Sequence, residues 1–231
     1  MVTALADGIW WIELGGVNAY LLDESIATEG AASGVTLIDA GMPWHGDDLR
    51  DAIAGAGYEL ADLDRILLTH YDFDHVGALS TLDDAGATIY VGEGDVAFVT
   101  GDERPPWTNH KGLFQRALGG FVTPPHDLVE TVADGDTVGS FTVYETPGHT
   151  PGHVAYVSAA ASVGILGDLV RESRGSLTPS PWVISYDTDA VETSITDLAE
   201  RAPGFEVLGI GHGRPFQRGG RDRLDRLAAT V

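Results

Sequence analysis

Apolar residues fall into short runs along the chain, each with the length of one strand or one helix. Residues 8–13 and 17–23 are apolar and rich in strand-forming side chains, and the glycines at 15–16 predict a hairpin between them. Further strands are predicted at residues 35–38, 65–68, 88–91, 127–132, 136–145, 154–158, 163–166 and 205–210. Helical spacing and end signals predict helices at residues 47–56, 76–85, 113–118, 188–202 and 219–230.

This order of elements predicts a mixed fold of the α/β or α+β class. Two stretches, residues 100–125 and 171–185, are irregular, and the first is rich in glycine, proline and aromatic residues. Long irregular stretches in a compact domain are typical of functional loops or lids. Neither a linker nor a sequence repeat divides the chain, so we expect one domain over residues 1–231.

The composition is that of a soluble globular protein, with 43% hydrophobic residues and a mean hydropathy of +0.01. No apolar run approaches the roughly 18–20 residues that cross a bilayer. Residues 1–7 lack a basic start followed by a long apolar stretch, so no secretory signal is expected. The expected location is the cytoplasm.

The chain carries 35 acidic and 13 basic residues, for a net charge of −22, and Lys111 is its only lysine. Such a surface repels nucleic acid and anionic membranes, so a small-molecule substrate is the expected partner. The oligomeric state stays open. The acidic residues are spread along the chain, which argues against an acidic tail and favours adaptation to high salt. We therefore expect a halophilic protein that unfolds in dilute buffer.

The chemistry concentrates in residues 70–75, directly after the apolar run at 66–68. This segment holds two histidines and two aspartates, His70, Asp72, Asp74 and His75. Four polar side chains at the end of a buried strand are costly to desolvate unless something compensates them. Because imidazole and carboxylate are both good ligands for divalent cations, the cluster predicts a metal site. Without cysteine, such a site must use histidine, aspartate and glutamate.

Three more metal-competent residues follow apolar runs and are flanked by glycine. They are His149, Asp168 and His212. Taken singly, each also fits an ordinary turn or helix cap. Together with the cluster at 70–75, they predict that strand ends along one sheet edge supply a single metal centre.

At this point the sequence resembles the metallo-β-lactamase fold superfamily over essentially the whole chain. The matching segments are Asp39-Ala40-Gly41, residues 69–77, residues 146–153, Gly167-Asp168 and Gly211-His212-Gly213. The resemblance implies an α+β fold, a four-layer αβ/βα sandwich, with two divalent metal ions between the sheets. It implies that one ion is held by His70, Asp72 and His149, the other by Asp74, His75 and His212, with Asp168 bridging both.

Position 72 departs from the family pattern, which usually has histidine where this chain has Asp72. Two dications, three aspartates and one hydroxide sum to zero charge, whereas the usual pattern leaves one positive charge. A less positive centre is a weaker Lewis acid, and an added oxygen ligand shifts preference from zinc towards manganese or iron. Zinc remains the expected metal. The carboxylate also resembles the diiron branch of the superfamily.

The resemblance implies a hydrolase in which a metal-bridging hydroxide attacks the substrate, with Asp74 as a catalytic residue that orients the nucleophile or handles its proton. The expected substrates are small-molecule esters, thioesters or lactones. The alternative is an iron-dependent redox enzyme, an oxygenase or an oxygen-reducing diiron relative. A non-catalytic binding protein is disfavoured, because all seven ligand positions hold competent residues.

Several residues near the ligands are expected to support them. Asp39 is expected to orient a ligand histidine, and His153 to be structural or to lie just outside the ligand set. Tyr71 and Phe73 are expected to pack the ligand loop.

The remaining candidate residues lie farther from residues 70–75 in the sequence. The residues His45 and His126 are expected at the surface. Four residues of the first irregular stretch could wall a substrate pocket or form a core cluster, namely Trp107, His110, Phe114 and Phe121. A carboxylate site at Arg171 and Arg174 is a weaker possibility, and the substrate contacts stay unknown.

Overall fold

Two β-sheets lie face to face in the computed structural model, which describes residues 1–231. The first sheet has seven strands in chain order: β1 (Val2–Ala6), β2 (Ile9–Leu14), β3 (Val17–Asp23), β4 (Val35–Ile38), β5 (Leu63–Leu67), β6 (Thr88–Gly92) and β7 (Val129–Val132). The later strands are β8 (Thr137–Val138), β9 (Phe141–Glu145), β10 (Val154–Ser158), β11 (Val163–Ile165), β12 (Val170–Ser173), β13 (Ser176–Pro179) and β14 (Val207–Gly209). Five of these form the second sheet in the order β14-β11-β10-β9-β8, and β12 pairs with β13 as a separate hairpin.

Seven helices accompany the sheets. They are α1 (Glu24–Ala27), α2 (Gly46–Gly55), α3 (Phe73–Val76), α4 (Val96–Val99), α5 (His110–Leu118), α6 (Thr188–Arg201) and α7 (Gly220–Ala228). Short 3-10 segments lie at Leu60–Asp62, Leu79–Ala85, Gly119–Phe121, Gly167–Leu169 and Trp182–Ile184. None of these helices combines the length and the apolar character that a membrane crossing requires.

Strand periodicity divides the apolar side chains into three cores and thereby sets the layers. Along β3, Val17 and Leu21 enter the core beneath α2, whereas Tyr20 and Leu22 enter the core between the two sheets. On the far side, a third core joins the second sheet to α6 and α7, with Ile195 and other apolar residues of these helices buried in it. The layers are therefore helix, sheet, sheet and helix. The expected α+β four-layer αβ/βα sandwich is confirmed.

Strand directions bring several carboxyl ends to one edge of this sandwich. In the first sheet β4 and β5 are parallel. In the second sheet β11 is parallel to β14, and β9 and β11 are both antiparallel to β10, so β9, β11 and β14 share one direction. The segments that follow these strands carry the predicted metal ligands.

The predicted helix over 76–85 is wrong. Helix α3 ends at Val76, and a 3-10 segment follows over Leu79–Ala85. A Cβ on Gly77 would collide with the Phe73 carbonyl oxygen and with Pro43, so the chain passes here closer than any side chain permits.

Two other predictions need correction. The strand predicted over 136–145 is two strands, because Gly139 adopts a positive φ of 59° and turns the chain between β8 and β9. The stretch 171–185, expected to be irregular, contains most of the β12–β13 hairpin, which turns at Arg174 and Gly175 with φ of 52° and 83°. Turn glycines such as these are not distinguished from strand glycines by periodicity alone.

The two histidines expected at the surface differ in outcome. His126 is exposed, as predicted, and pairs with Asp83. The prediction for His45 is wrong, because its side chain is buried and its Nδ1 accepts a hydrogen bond from the Met42 amide at 3.1 Å.

Candidate metal centre

All seven predicted ligands come together at the shared edge of the two sheets. Their donor atoms form three groups in which every atom lies within 4.8 Å of the others. The groups are His70, Asp72 and His149; Asp74, His75 and His212; and His70, His75 and Asp168. His212 Nε2 lies 3.2 Å from Asp168 Oδ2 and 3.4 Å from Asp74 Oδ2, which links Asp168 to the second group.

The two histidines of the 70–75 segment have their Nδ1 atoms hydrogen-bonded away from the centre. His70 Nδ1 lies 2.9 Å from Thr69 Oγ1, and His75 Nδ1 lies 2.9 Å from Asp39 Oδ2. Since Thr69 Oγ1 donates its own proton to Asp39, the hydroxyl accepts from His70. Both rings therefore donate from Nδ1 and turn Nε2 inward, where a metal ion would take the place of a proton.

The histidines from the second sheet are held in the same way. His149 Nδ1 lies 2.9 Å from Ser180 Oγ, and His212 Nδ1 lies 2.8 Å from the Gly16 carbonyl oxygen, to which it donates. All four imidazoles thus turn Nε2 toward the carboxylates. This is the arrangement found where histidine binds a metal through Nε2.

Asp39 supports this arrangement from a strained backbone position with φ of 59°. Its buried carboxylate accepts hydrogen bonds from the Thr69 amide and hydroxyl, both at 2.8 Å, as well as from His75. One side chain therefore contacts both the strand end that carries His70 and the ring of His75; that Asp39 orients a metal ligand stays a prediction.

Three buried donor atoms at the centre have no hydrogen-bond partner: His70 Nε2, His75 Nε2 and Asp168 Oδ1. Buried polar atoms without a partner are rare, and these three belong to one group of donors. Two imidazole nitrogens and a carboxylate oxygen are suitable ligands for zinc, iron or manganese. The residues present therefore fit a divalent cation.

Burial and neighbouring charges shift the pKa values of the candidate ligands. Burial holds the pKa of His70 well below its usual value, so this ring is neutral. Burial also lowers the pKa of His75, but the carboxylates of Asp39, Asp74 and Asp168 together raise it to about 10. Burial opposes ionisation of Asp168, yet the neighbouring histidines, His212 above all, hold its pKa well below the usual range.

Sequence reasoning assigned no role to Lys111, which lies inside the centre. Its ammonium is 2.8 Å from Asp72 Oδ2 and 2.6 Å from His149 Nε2. One turn later on α5, Gln115 Nε2 donates to Asp72 Oδ1 at 2.8 Å. Burial raises the pKa of Asp72, but the ammonium and the adjoining histidines bring it well below its usual value. The only signal in the sequence was that this chain has a single lysine.

Asp95 is a second residue that sequence reasoning missed. Its buried carboxylate accepts hydrogen bonds from the Tyr71 amide at 2.8 Å, the Thr150 hydroxyl at 2.6 Å and the Gly152 amide at 2.9 Å. It thus ties the loop that carries Asp72 to the turn that carries His149. Burial raises the pKa of Asp95 to about 6. An aspartate at the start of a short helix gave no sequence signal for this role.

The loop that carries His212 is held by β3. Asn18 Nδ2 donates to the carbonyl oxygens of Ile210 at 2.9 Å and Gly213 at 2.8 Å. A Cβ on Gly211 would overlap Asp168 Oδ1, so only glycine allows this close approach.

His153 lies beside the donor groups and in none of them. Its ring stacks on His70 at 5.2 Å between centroids, and its Nδ1 bonds to the Thr146 hydroxyl at 2.8 Å. Tyr71 packs against Phe98 in the core beneath α2, as expected. The half-buried Phe73 lies near Trp44.

The aromatic residues of the 100–125 stretch do not form a core cluster. Trp107, His110, Phe114 and Phe121 are all exposed, and His110 stacks on Trp182 with 4.4 Å between ring centroids. Two arginines, Arg171 and Arg174, lie on the β12–β13 hairpin, Arg174 in its exposed turn.

Known proteins are similar to this chain in both sequence and fold. The family model for the metallo-beta-lactamase superfamily matches residues 12–212. Two Bacillus subtilis proteins are similar: the uncharacterized protein YobT, 31% identical over 90% of this chain and 87% of its own, and the probable metallo-hydrolase YflN, 30% identical over 78% and 75%. Among solved structures, TTHA1623 in a di-iron-bound form is 28% identical, with a TM-score of 0.66 over 90% of this chain and 93% of its own. The chain belongs to the metallo-beta-lactamase superfamily.

Proposed function

We propose that this protein is a metal-dependent hydrolase of small-molecule esters, thioesters or lactones. The observation that carries the proposal is the set of three buried donor atoms without partners, His70 Nε2, His75 Nε2 and Asp168 Oδ1, at the sheet edge. The name of YflN, a probable metallo-hydrolase, supports the same class of activity.

A divalent cation held by His70, His75 and Asp168 would supply Lewis acidity toward a substrate carbonyl and would lower the pKa of a nearby water. The donors suffice for two ions, but hydrolysis requires only one, as in mononuclear zinc enzymes. The hydroxide bridging two ions that the resemblance implies remains a prediction.

Asp74 is the proposed catalytic residue of the chain itself. Its carboxylate is partly open to solvent, and Oδ2 lies 3.4 Å from His212 Nε2. Burial raises the pKa of Asp74 above the usual value for aspartate, which makes it a better proton acceptor than a fully hydrated carboxylate. In this role it orients the attacking water and receives its proton.

The charge of the chain supports a small substrate that is not a polyanion. A net charge of −22 disfavours nucleic acid, because like charges repel over the whole surface. Exposed aromatic rings, Trp107 and Phe114 among them, lie on or near the helix that carries Lys111. These rings offer apolar contacts to the acyl or leaving group of a small ester.

The second candidate is an iron-dependent redox enzyme. Two histidines and one carboxylate with free donor atoms, the group of His70, His75 and Asp168, resemble the ligand set of non-haem iron oxygenases. The related TTHA1623 has been solved with two irons bound.

One screen separates these candidates. The chelator-treated protein is reconstituted with zinc, manganese or ferrous iron in molar salt and assayed on ester, thioester, lactone, β-lactam and phosphodiester substrates. We expect turnover of at least one acyl substrate that disappears with the metal. Oxygen consumption by the iron form, with no hydrolysis under any condition, would contradict the hydrolase and favour the redox enzyme.

A further inference from the structure

The Lys111 side chain is only 2% exposed, although lysine is among the residues least often buried. Burying an ammonium without partners costs several kcal/mol, so its position must be compensated. Its Nζ contacts two acceptors, Asp72 Oδ2 at 2.8 Å and His149 Nε2 at 2.6 Å. Both atoms belong to the first donor group of the metal centre.

The Lys111 ammonium occupies the lone pair of His149 Nε2 that a metal ion would need. Since an ammonium can only donate, His149 Nε2 accepts from Lys111, although it also lies 3.0 Å from Asp72 Oδ2, and Nδ1 then donates to Ser180 Oγ. Nε2 therefore carries the only lone pair of this ring that faces the centre. Each lone pair accepts either a proton donor or a metal ion, never both. While Lys111 donates to His149 Nε2, that nitrogen is closed to a cation.

Asp72 is held for this pairing by the same helix. Gln115 Nε2 donates to Asp72 Oδ1 at 2.8 Å and to the Tyr71 carbonyl oxygen at 2.6 Å. The Tyr186 hydroxyl donates to Gln115 Oε1, which fixes the orientation of the amide. Both carboxylate oxygens of Asp72 are thus engaged by α5.

The first turn of α5, which carries Lys111, is held in place by hydrogen bonds of Asn109. The Asn109 side chain caps the helix by accepting from the amides of Lys111 at 2.9 Å and Gly112 at 3.4 Å. Asn109 Nδ2 also donates to the Tyr186 carbonyl oxygen at 3.1 Å. Lys111 therefore lies in the capped first turn.

The other half of the centre contains no comparable cation. Asp74, His75 and His212 form a donor group, and Asp168 Oδ2 lies 3.2 Å from His212 Nε2. Outside the two residues that Lys111 contacts, His70 Nε2, His75 Nε2 and Asp168 Oδ1 have no hydrogen-bond partner. These atoms remain open to a metal ion.

We propose that the Lys111 ammonium replaces one of the two metal cations. The protein then binds a single divalent ion tightly, through the candidate ligands that the ammonium leaves free, which are His70, Asp74, His75, Asp168 and His212. One dication and one ammonium carry three positive charges and so balance the three aspartates of the centre, before any bound hydroxide is counted. Asp72, where the family usually has histidine, then serves as the partner of Lys111. The inference rests on the proposed metal centre and adds the number of ions that it holds.

The test counts metal ions. Chelator-treated wild type, Lys111→Met and Arg116→Met are titrated with zinc by calorimetry, and retained zinc is measured by elemental analysis after desalting. Arg116→Met is the matched control, because it removes one positive charge from an exposed position on the same helix. We expect one retained zinc per wild-type chain and per Arg116→Met chain, and two per Lys111→Met chain. The dissociation constant of the second zinc should fall by at least roughly tenfold when the ammonium is removed.

Two tight zinc ions in the wild type overturn the proposal, and this count requires no variant to fold. A wild type that retains no zinc, a Lys111→Met protein that stays at one zinc, or an Arg116→Met protein that gains a second also overturns it. The hydrolase assignment is tested separately. Ester hydrolysis with two zinc ions bound contradicts only the role of Lys111, whereas one zinc without hydrolysis contradicts only the hydrolase function.

Discussion

Replacing Asp39 with asparagine tests whether one buried carboxylate orients the metal centre. Asparagine tolerates the left-handed backbone that Asp39 adopts at φ of 59°, so the substitution changes the side-chain chemistry and little else. The carboxylate accepts from the Thr69 amide, the Thr69 hydroxyl and His75 Nδ1. An amide has one oxygen in place of two, so at least one of these donors loses its acceptor.

The magnitude follows from these contacts. A hydrogen bond to a charged group contributes about 1.5–3 kcal/mol, and one such bond is lost. The rise of the His75 pKa from 6.5 to about 10 corresponds to about 5 kcal/mol net of the opposing effect of burial, and Asp39 is the largest contributor to it among the three carboxylates. Asp39→Asn should therefore destabilise the metal-free protein by about 2–4 kcal/mol near neutral pH.

The pH dependence has a definite sign. Because the folded pKa of His75 is raised, its stabilising contribution is complete below pH 6.5 and is lost as the pH rises toward about 10. The free energy of unfolding should therefore fall less steeply with rising pH in Asp39→Asn than in the wild type. It should also weaken zinc binding by about 10- to 100-fold, since the ring of His75 loses its orienting acceptor.

The assay is urea unfolding of chelator-treated protein between pH 6 and 10, together with zinc titration of the folded protein. Asp23→Asn is the control, because Asp23 caps α1 with similar hydrogen bonds and touches no proposed ligand. Asp23 Oδ2 also accepts from the Tyr58 hydroxyl, so Asp23→Asn loses a carboxylate acceptor just as Asp39→Asn does, but far from the centre. This control should therefore leave zinc affinity unchanged even if it lowers stability. Wild-type zinc affinity in Asp39→Asn would refute the orienting role.

Three further predictions concern the centre and the surface. Asp74→Ala should abolish hydrolysis while retaining part of the metal, as measured by kinetics and elemental analysis, and an active variant would remove Asp74 from the mechanism. Gly211→Ala should displace Asp168 and lower both stability and zinc retention, because its Cβ would overlap Asp168 Oδ1; an unchanged melting temperature and zinc content would contradict this. The acidic surface predicts unfolding in dilute buffer and recovery in molar KCl, followed by circular dichroism, and full stability at low salt would disprove the halophilic interpretation.

The candidate ligands were accessible to sequence reasoning because their signal is local. His70, Asp72, Asp74 and His75 lie within one short segment after an apolar run, and polar residues in such a place require compensation. The ends of later strands then supplied the remaining candidates. Strand alternation also foretold the layered fold, because it assigns side chains to the two faces of each sheet.

Contacts between distant segments were not accessible in this way. Lys111 meets His149, 38 residues away, and Asp95 meets Gly152, 57 residues away, through the packing of helices and loops that no local pattern specifies. The charge count made from the sequence included Asp72 but omitted the ammonium that neutralises it. The sequence alone thus determined which residues could bind a metal. Only the tertiary structure showed that a lysine occupies part of that centre, since a side chain's partners depend on where the folded chain brings it.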